Sequence, residues 1–335
     1  MMIESIEFKN FKALRDTKLP LGQFTLIVGP NGSGKSSVFQ ALKLMTGNVP
    51  PPFTQIASFE RDALAYISVR VRWGSPFPEG TTSWRIGGQE GSAIDHFAPS
   101  GQKVPRKEHS ERHDYFKRLR VFALDPARLP TAAALSTSPE LAEDGGGLAA
   151  LIQQLRDTDE DRFDALSTEF SRLLPEYDRI TFGLEGQART IVLRTASGGH
   201  KVNAKEVSQG TLIALAILTL AYLPKPPPLI GFEEPDRGLH PRLLTDLRDA
   251  LYRLAYPDRF GEKREPVQVI ATTHNPYFLR LFRDHPEGIV IAEKVGQEAK
   301  FVRLVDHFEI DEILRDADLG EVWYTGVLGG VPAGR

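Results

Sequence analysis

The amino-acid sequence predicts an α/β protein with a mixed sheet, in which an antiparallel and helical lobe is inserted after the first βα unit. Three observations lead to this fold class. A short apolar run, Phe24–Val28, precedes a glycine-rich loop and a helical pattern over 35–44. Strands and helices alternate from 210 to 282, which is typical of a parallel sheet covered on both faces. Between them, 63–86 alternates polar and apolar residues, as an antiparallel strand pair does.

The first half of the chain is interpreted from its periodicity. Segments 3–8 and 24–28 are predicted to form an opening hairpin, although the second is apolar on both faces, as a buried parallel strand is. The stretch 87–101 contains four glycines and no clear period, so it is predicted to be a mobile loop. Two short helices are predicted within 148–174, from the spacing of their apolar residues.

The second half follows the same reasoning, with short apolar runs read as strands and longer periodic runs as helices. The predicted elements are a hairpin of 180–184 with 190–195, helices over 210–223, 241–255 and 277–282, and strands over 229–232 and 267–272. Neither an internal repeat nor a sustained heptad pattern is present, which excludes a long coiled-coil arm.

Composition excludes several kinds of site. The 335 residues include no cysteine, which rules out a disulfide framework, a cysteine nucleophile and a thiolate zinc site. The 41 lysines and arginines nearly balance the 44 aspartates and glutamates, so any contact with DNA must be local. The longest apolar stretch, 212–223, is shorter than the roughly 20 residues of a membrane span. We therefore expect a cytoplasmic protein without a membrane segment.

The loop after the first buried strand carries a phosphate-binding motif. Residues 29–36 match G-x-x-x-x-G-K-[ST] in full, between a strand and a helix. Backbone N–H groups of such a loop, and the N-terminus of its helix, bind phosphate oxygens. Lys35 is expected to reach the β- and γ-phosphates of a nucleotide, and Ser36 to place its hydroxyl on Mg²⁺. The predicted nucleotide-binding residues of this loop are Gly29, Pro30, Asn31, Gly32, Ser33, Gly34, Lys35, Ser36 and Ser37.

Two glutamates and a histidine follow later strands. Glu233 and Glu234 come directly after the apolar run 229–232, at the strand end where open α/β sheets bind ligands. Glu233 is predicted to hold Mg²⁺, and Glu234 to act as general base or to orient the attacking water. Alternatively, both are exposed loop acids before a proline. His274 follows the strand 267–272, and is predicted to face the γ-phosphate.

Five motifs follow one another along the chain: the loop at 29–36, Ser208-Gln209-Gly210-Thr211, Glu233-Glu234-Pro235, Gly238-Leu239-His240-Pro241 and Thr273-His274-Asn275-Pro276. In this order they resemble the motifs of ABC-type ATPase heads, and most of all those of the RecF, SMC and OLD-like group of soluble ATPases. The opening 6–12 is similar to that group, and the ending 319–323 with 326–332 resembles short bacterial members that are often encoded beside a separate effector.

The resemblance implies a Mg²⁺-dependent ATP hydrolase with a P-loop NTPase fold. Its nucleotide-binding lobe would consist of 1–50 and 200–335, and the inserted lobe of 51–199. It also implies a head-to-tail homodimer that holds two ATP molecules between its subunits. The setting it suggests is bacterial genome defence or DNA repair, with a nuclease-like effector on another chain.

Within such a dimer, the residues Ser208, Gln209 and Gly210 would contact the γ-phosphate bound by the partner, and Asp236 would lie in the loop that crosses the interface. An ordinary helix N-cap is the alternative role of Ser208. The motif departs from the family pattern, which has Ser-Gly-Gly-Gln where this chain has Ser-Gln-Gly-Thr. Glu233 likewise stands where the family has Asp.

Two further features leave alternatives open. Gln55 and Gln89 are both candidates for the glutamine that senses the nucleotide in this family. The stretch from Lys103 to Arg120 holds seven lysines and arginines against three acids. It is either a patch for the DNA backbone, which needs only positive charge, or a solvated helical face.

The remaining polar clusters do not predict a metal site. His109 and His113 lie four residues apart but lack the glutamate of the zinc-protease motif. Asp316 and Asp318 are interpreted as an acid pair at a helix end. Besides the ATPase, the sequence leaves open an ATP-gated scaffold with negligible turnover and an ATPase subunit of a transporter, for which the interval from Lys35 to Ser208 is long.

Overall fold

The computed structural model describes residues 3–46, 51–58, 66–77, 79–87, 93–134, 136, 138–296, 298–307, 318–326 and 328. It contains two compact units. The first comprises 1–121, 227–231 and 266–335, and the second comprises 122–226 and 232–265. The first unit therefore holds the antiparallel strands within 67–97 together with the phosphate-binding loop. The division into lobes of 1–50 with 200–335 and of 51–199 stays a prediction.

A six-stranded mixed sheet positions the loop at 29–36. Strand β3 is buried at every residue and pairs in parallel with both neighbours, β12 and β13. This placement explains its continuous apolar run, because a parallel strand is covered on both faces. In the order β14-β13-β3-β12-β11-β7, the strands are Glu298–Arg303, Ile289–Val295, Phe24–Val28, Gln268–Thr273, Leu229–Glu233 and Arg120–Phe122.

A five-stranded antiparallel sheet forms the rest of the first unit. In the order β2-β1-β4-β5-β6, its strands are Leu14–Pro20, Ile3–Phe11, Ile67–Trp73, Gly80–Ile86 and Ala93–Phe97. The predicted antiparallel pair within 63–86 is confirmed as β4 with β5, in which Arg70 lies opposite Ser83. Residues 59–65 lie outside the described part of the chain.

Two local predictions in this region are wrong. The opening hairpin joins β1 to β2, not segment 3–8 to segment 24–28. Its turn is built by Asn10 and Lys12, which both have positive φ, and this tight reversal leaves β3 free to enter the parallel sheet. The predicted loop 87–101 contains strand β6, which pairs with β5 along the edge of the sheet. Its mostly half-exposed side chains gave it no clear hydrophobic period.

The core of the first unit centres on Trp73. Its ring packs against Phe77, Tyr115 and Phe116 at centroid distances of 5.1 to 5.3 Å. Tyr115 and Phe116 come from helix α3, Arg106–Arg118, so aromatic contacts hold this helix to the antiparallel sheet. Among the described residues, the other helices of the first unit are α1, α2, α8 and α9, at Lys35–Met45, Phe53–Ile56, Pro276–Leu279 and Leu319–Tyr324.

The second unit is helical with one small sheet. Strands β8, β9 and β10 form an antiparallel sheet, which confirms the predicted hairpin of 180–195. The predicted helices within 148–174 and at 210–223 are also confirmed. Helix α6 is buried from Gly210 to Tyr222, in line with its uninterrupted apolar sequence. The bounds are α4 Leu148–Thr158, α5 Glu160–Leu173, α6 Gln209–Tyr222, α7 Leu244–Ala255, β8 Tyr177–Glu185, β9 Ala188–Thr195 and β10 Lys201–Asn203.

Two predicted helices are shorter than expected. The segment 241–255 begins with a 3₁₀ turn before α7, and the helix predicted over 277–282 is the four-residue α8, Pro276–Leu279, followed by a 3₁₀ turn. Pro241 begins the first of these segments and Pro276 begins α8, because proline fits the first turn of a helix where no N–H partner is needed. Within the described ranges, no helix is both long enough and apolar enough to cross a membrane.

Candidate functional site

The loop between β3 and α1 has the backbone of a phosphate cradle. Gly32 and Gly34 have φ of 78° and 87°, a region that glycine enters without steric cost. Gly34 is the N-cap residue of α1, and no side chain caps this helix. A helix N-terminus without a side-chain cap favours an anion, through the N–H groups of its first turn and through the helix dipole.

Lys35 closes this loop. Its side chain is buried, and its Nζ donates hydrogen bonds to the carbonyl oxygens of Gly29 at 2.6 Å and Pro30 at 3.0 Å. The ammonium group is thus held across the loop rather than extended into solvent. Ser33 is fully buried, and its hydroxyl has no hydrogen-bond partner among the described residues. Buried polar atoms are normally paired, so this hydroxyl fits a loop that is completed by a ligand oxygen.

The back of the loop is walled by neighbouring strands. A Cβ atom on Gly29 would lie 2.7 Å from the carbonyl oxygen of Ala292 in β13. A Cβ atom on Gly34 would lie 2.7 Å from Cδ2 of Leu14 and 3.0 Å from Cβ of Ala299. Since real Cβ atoms do not make such approaches, both glycines are needed for packing as well as for backbone conformation.

His274 lies beside the start of the loop. In the parallel pairing of β12 with β3, Thr273 is the register partner of Val28. His274 and Gly29 are therefore the next residues along their two strands. The turn that follows is tied down by side chains, because Thr273 Oγ1 accepts a hydrogen bond from the N–H of Asn275 at 3.0 Å, and Asn275 Oδ1 accepts one from the N–H of Tyr277 at 2.9 Å. The His274 side chain is exposed.

The two glutamates occupy a turn with an unusual backbone. Glu233 is the last residue of β11 and is half-buried. Glu234 follows with φ of 47°, a left-handed conformation that costs a non-glycine residue about 1–2 kcal/mol. Its carbonyl accepts from the N–H of Arg237 at 3.0 Å, and the carbonyl of the buried Asp236 accepts from Leu239 at 3.2 Å. A strained residue within a hydrogen-bonded turn is common at functional sites.

Ser208 is the N-cap of α6. Its hydroxyl accepts a hydrogen bond from the N–H of Thr211 at 3.2 Å, and lies 2.8 Å from the Thr211 hydroxyl. The N-cap role that the sequence left open is therefore present in the structure. Ser208 and Gln209 are exposed, whereas Gly210 is buried. Both exposed side chains lie at the start of a 14-residue helix, whose N-terminus attracts anions.

The predicted site residues fall into two groups. The loop at 29–36, Ser37 and His274 belong to the first unit, whereas 208–210, Glu234 and Asp236 belong to the second. Within the loop, Asn31 and Ser36 are exposed, and Ser37 is half-buried. Gln55 lies exposed in α2, and Gln89 lies outside the described residues.

The stretch from Lys103 to Arg120 is less of a basic surface than its composition suggested. Arg112 is fully buried in α3, paired with Glu108 and 5.6 Å above the ring of Trp73. Its inclusion in a DNA-binding patch was wrong, because the guanidinium supports the core instead. Lys103 forms an ion pair with Asp95 at 2.9 Å.

The other clusters named from sequence have structural roles or lie outside the described part. His109 packs edge-on against the buried His96 at a centroid distance of 4.4 Å. Across the described ranges, no three histidines, aspartates or glutamates converge on a possible metal position. Asp318 caps helix α9 by accepting from the N–H groups of Gly320 and Glu321. Asp316 lies outside the described residues.

The sequence reasoning missed the hairpin of β13 and β14, which supplies Ala292 and Ala299 to the wall of the loop. A signal for it was present, because an apolar run at 289–292 and a segment of alternating polar and apolar residues at 298–301 flank Gly296, which has positive φ. Alternating strands on either side of a glycine are a hairpin pattern.

Comparison with known proteins assigns the chain to a family. A family model described as "AAA domain, putative AbiEii toxin, Type IV TA system" matches residues 92–280, which is more than half of the chain. The chain belongs to this family. A second model, "AAA ATPase domain", matches residues 1–70. With the relatives and structural neighbours below, these matches confirm an OLD-like P-loop ATPase of the ABC/SMC type.

Two curated relatives belong to this ATPase group. The OLD nuclease of Thermus scotoductus is 25% identical over 352 residues, which cover 89% of this chain and 65% of that protein. The chain thus spans slightly less than two thirds of this relative. The chromosome partition protein Smc of Methanocaldococcus jannaschii is 48% identical over 46 residues, which cover 13% of this chain and 4% of that protein.

Solved structures agree on the fold of the AAA-family chain. An SMC head bound to the C-winged helix domain of ScpA is similar, with a TM-score of 0.64 at 18% identity, covering 90% of this chain and 97% of that one. The SMC head domain from Thermotoga maritima has a TM-score of 0.55 at 18% identity, with 90% and 99% covered. The predicted fold class, a P-loop NTPase of the ABC head type, is therefore confirmed.

Proposed function

We propose that this AAA-family chain is a Mg²⁺-dependent ATPase whose ATP-bound, head-to-tail dimer switches an activity directed at DNA or at a protein. The observation that carries the proposal is the register of β3 and β12, which brings His274 beside the first residue of the phosphate-binding loop. A phosphate cradle and a polar group able to contact a terminal phosphate then share one edge of the sheet. A glycine-rich turn that binds no nucleotide would not require this pairing.

The loop residues fit a triphosphate. The uncapped N-terminus of α1 and the buried, unpaired hydroxyl of Ser33 both provide donors inside the loop. Lys35 supplies a positive charge that is already positioned by two carbonyl groups. Ser36 and Glu233 are the residues proposed to hold Mg²⁺, which neutralises phosphate charge when bound. A hydroxyl and one carboxylate suffice, because Mg²⁺ usually keeps several waters and phosphate ligands.

Glu234 is proposed to accept a proton from the attacking water. Its left-handed backbone, fixed by the hydrogen bond from Arg237, sets the direction in which the carboxylate leaves the chain. Orientation matters here because a general base must lie within hydrogen-bond reach of the proton that it removes. Strain at this residue is consistent with selection for position rather than for stability.

The dimer is proposed from the start of α6. Ser208 and Gln209 are exposed at the N-terminus of this helix. A γ-phosphate carried by a partner subunit would meet the positive end of the helix dipole there. Asp236 is proposed to lie in the loop that crosses between subunits.

The biological role is proposed by relationship to the known proteins. One relative is named an OLD nuclease, and one structural neighbour is an SMC head bound to a domain of ScpA. These names support an ATPase that acts with an effector, which we place in bacterial genome defence or DNA repair. The effector is proposed to be a nuclease-like protein on a separate chain.

The direct test replaces Glu234 with Gln. We expect Glu234→Gln to lose ATP turnover while its ATP-bound dimer accumulates, which light scattering after size exclusion would detect. Glu206→Gln is the matched control, because Glu206 is an exposed acid of the same unit. Unchanged turnover in Glu234→Gln would remove the proposed role. Negligible turnover in the unmodified chain, with a dimer that forms on ATP, would favour the ATP-gated scaffold instead.

A mixing experiment tests the head-to-tail arrangement. Lys35→Met disables the loop, and Ser208→Arg blocks the start of α6, so each variant alone should be inactive. In a mixed dimer, one of the two sites combines an intact loop with an intact α6. Mixing should therefore restore part of the ATPase activity. Two inactive variants that stay inactive after mixing would show that 208–210 do not act across subunits.

A further inference from the structure

The β13–β14 hairpin runs along the phosphate-binding loop. The last register pair between β13 and β3 is Ile291 with Val28, and β13 then continues past the end of β3. Its next residue, Ala292, packs against Gly29, with its carbonyl oxygen 2.7 Å and its Cβ 2.8 Å from the position of a Cβ on that glycine. The strand therefore lies against the first residue of the loop and extends beyond it.

Strand alternation brings Lys294 over the same loop. Successive side chains of a strand point to opposite faces, so Ala292 and Lys294 share a face. Lys294 is also the register partner of Ala299 in β14, and directly opposite residues of an antiparallel pair share a face too. Ala299 lies 3.0 Å from the Cβ position of Gly34, and Lys294 Nζ lies 3.7 Å from that of Gly32. One face of the hairpin thus meets three glycines of the loop.

The charge at this position is not used by the protein itself. Lys294 is exposed, and it forms neither a hydrogen bond nor an ion pair with any residue in the described part of the chain. Lys35, in contrast, is buried and bonded to loop carbonyls. Two ammonium groups at one short loop repel each other unless an anion lies between them. The arrangement therefore suits a ligand with several negative charges.

We propose that Lys294 is a second phosphate-binding lysine of the nucleotide site, acting on the polyphosphate of ATP from the tip of the loop. This inference rests on the proposed ATPase function. Lys35 supports the phosphates from within the loop, and Lys294 contacts them from the solvent side. Lysine suits this position because its ammonium group is a compact charge on a flexible stem that reaches phosphate without fixed geometry.

The test compares Lys294→Ala and Lys294→Arg with Lys300→Ala. Lys300 is exposed on β14 of the same hairpin and lies opposite Glu293 rather than over the loop, so it is a matched control. The affinities for a non-hydrolysable ATP analogue with Mg²⁺ and for inorganic tripolyphosphate would be measured by calorimetry. We expect Lys294→Ala to weaken both about five- to tenfold, as for loss of one charged hydrogen bond at a partly solvated site.

Lys294→Arg and Lys300→Ala serve as comparisons for the loss of affinity in Lys294→Ala. Lys294→Arg should retain most of the affinity, and Lys300→Ala all of it. The salt dependence of binding should be shallower in Lys294→Ala than in the unmodified chain, because one charge contact with the phosphates has been removed. All variants should unfold at the same temperature, because both lysines are exposed.

Failure of this inference can be told apart from failure of the proposed function. If the unmodified chain binds ATP and Lys294→Ala binds it equally well, Lys294 has no phosphate role and the ATPase proposal stands. If Lys294→Ala weakens ATP but not tripolyphosphate, a phosphate contact is also excluded. If the unmodified chain binds neither ligand, both proposals are overturned.

Discussion

Gly210 faces the carbonyl group of Gly238, and a Cβ atom on Gly210 would lie only 2.8 Å from that oxygen. The approach occurs within the second unit. It joins the start of α6 to the turn that carries Glu234 and Asp236. The turn therefore packs against the start of α6, where Ser208 and Gln209 are exposed. Two motifs that are separate in sequence meet at one glycine.

The first prediction is that Gly210→Ala lowers stability although alanine favours helices. Helix propensity would contribute up to about 1 kcal/mol in its favour. The clash with the Gly238 carbonyl should cost about 1–3 kcal/mol, because relieving it requires one of the two backbone segments to move. Urea unfolding of Gly210→Ala and of Gln209→Ala, which has no such neighbour, would measure the difference. A Gly210→Ala variant more stable than Gln209→Ala would contradict the contact.

The second prediction separates steric from conformational demands in the phosphate-binding loop. Gly29→Ala should destabilise the chain by about 1–3 kcal/mol, because its Cβ would meet the backbone oxygen of Ala292 at 2.7 Å. Gly32→Ala has open space, with only the flexible end of Lys294 within 4 Å. Its cost should be about 1–2 kcal/mol, from its left-handed φ alone.

Measuring ATP affinity and unfolding together would distinguish the two variants. Gly29→Ala should lose stability with and without nucleotide, since β13 is pushed away from β3. If Gly29→Ala is as stable as the unmodified chain, the close approach of Ala292 does not constrain the loop.

The sequence predicted the elements whose signals are local. The phosphate-binding motif fixed the β3 and α1 positions, and the apolar run of α6 indicated a buried helix. Strand β6 was missed because its side chains are mostly half-exposed. The β13–β14 hairpin was missed although its apolar run at 289–292 gave a signal. The β1–β2 turn was missed because its positive φ values belong to Asn10 and Lys12, and the turn contains no glycine that would have indicated it.

The candidate site residues were also predicted from local signals. The phosphate-binding motif gave Lys35, and positions at the ends of predicted strands gave Glu234 and His274, whose roles stay predictions. Lys294 could not be found this way, because its place over the loop is set by strand register rather than by any motif. Arg112 was wrongly counted in a surface patch, because composition gives the number of charged residues but not how deeply each side chain is buried.

The third prediction concerns pH and His96. Trp73 Nε1 donates to the hydroxyl of Thr82 at 2.7 Å, and this hydroxyl lies 2.6 Å from His96 Nδ1. Because Thr82 accepts from Trp73, its own proton is available to Nδ1 of a neutral ring. A protonated ring would present a second donor to the same hydroxyl. The buried network therefore favours neutral His96.

The surroundings of His96 also favour its neutral form. Burial, and after it the positive charges of His109, Arg112 and His113, lower the pKa of His96 to about 4, while Asp95 acts in the opposite direction. An unfolded histidine has a pKa near 6.5. Between these values only the unfolded chain binds the proton, so this contribution to stability is full above pH 6.5 and is lost as pH falls toward 4.

Urea unfolding at several pH values would measure the effect. The free energy of unfolding should fall by about 1 kcal/mol per pH unit from this histidine between pH 6.5 and 4. His96→Asn should show a shallower dependence, because asparagine can accept the Thr82 proton but does not titrate. His200→Asn, at an exposed position, should leave the slope unchanged. Equal slopes for His96→Asn and the unmodified chain would exclude this role.

The fourth prediction concerns DNA. Three exposed lysines within or just before α3 already form ion pairs with acidic side chains. Lys103 lies 2.9 Å from Asp95, Lys107 lies 4.0 Å from Glu111, and Lys117 lies 3.9 Å from Asp114. We therefore expect charge reversal at Arg106, Lys107, Lys117 and Arg118 to leave DNA affinity and its salt dependence unchanged, as for a solvated helical face. A large loss of affinity and of salt dependence would establish a phosphate-binding patch instead.

That experiment must spare Arg112, which leads to the last prediction. Arg112 is fully buried, pairs with Glu108, and donates to the carbonyl of Phe97 at 3.3 Å. Removing one partner of a buried pair leaves the other uncompensated, so Arg112→Met should cost about 3 kcal/mol or more. Lys107→Met, at an exposed position of the same helix, should change stability by less than about 0.5 kcal/mol.

A double substitution shows whether the pair itself is responsible. Arg112→Met combined with Glu108→Gln removes the orphaned carboxylate, so part of the lost stability should return. The Phe97 carbonyl still lacks its donor, and the guanidinium 5.6 Å from the ring of Trp73 is also gone. Recovery should therefore be incomplete. If the double variant is no more stable than Arg112→Met, the carbonyl and aromatic contacts of Arg112 carry its effect, and the charge of Glu108 does not.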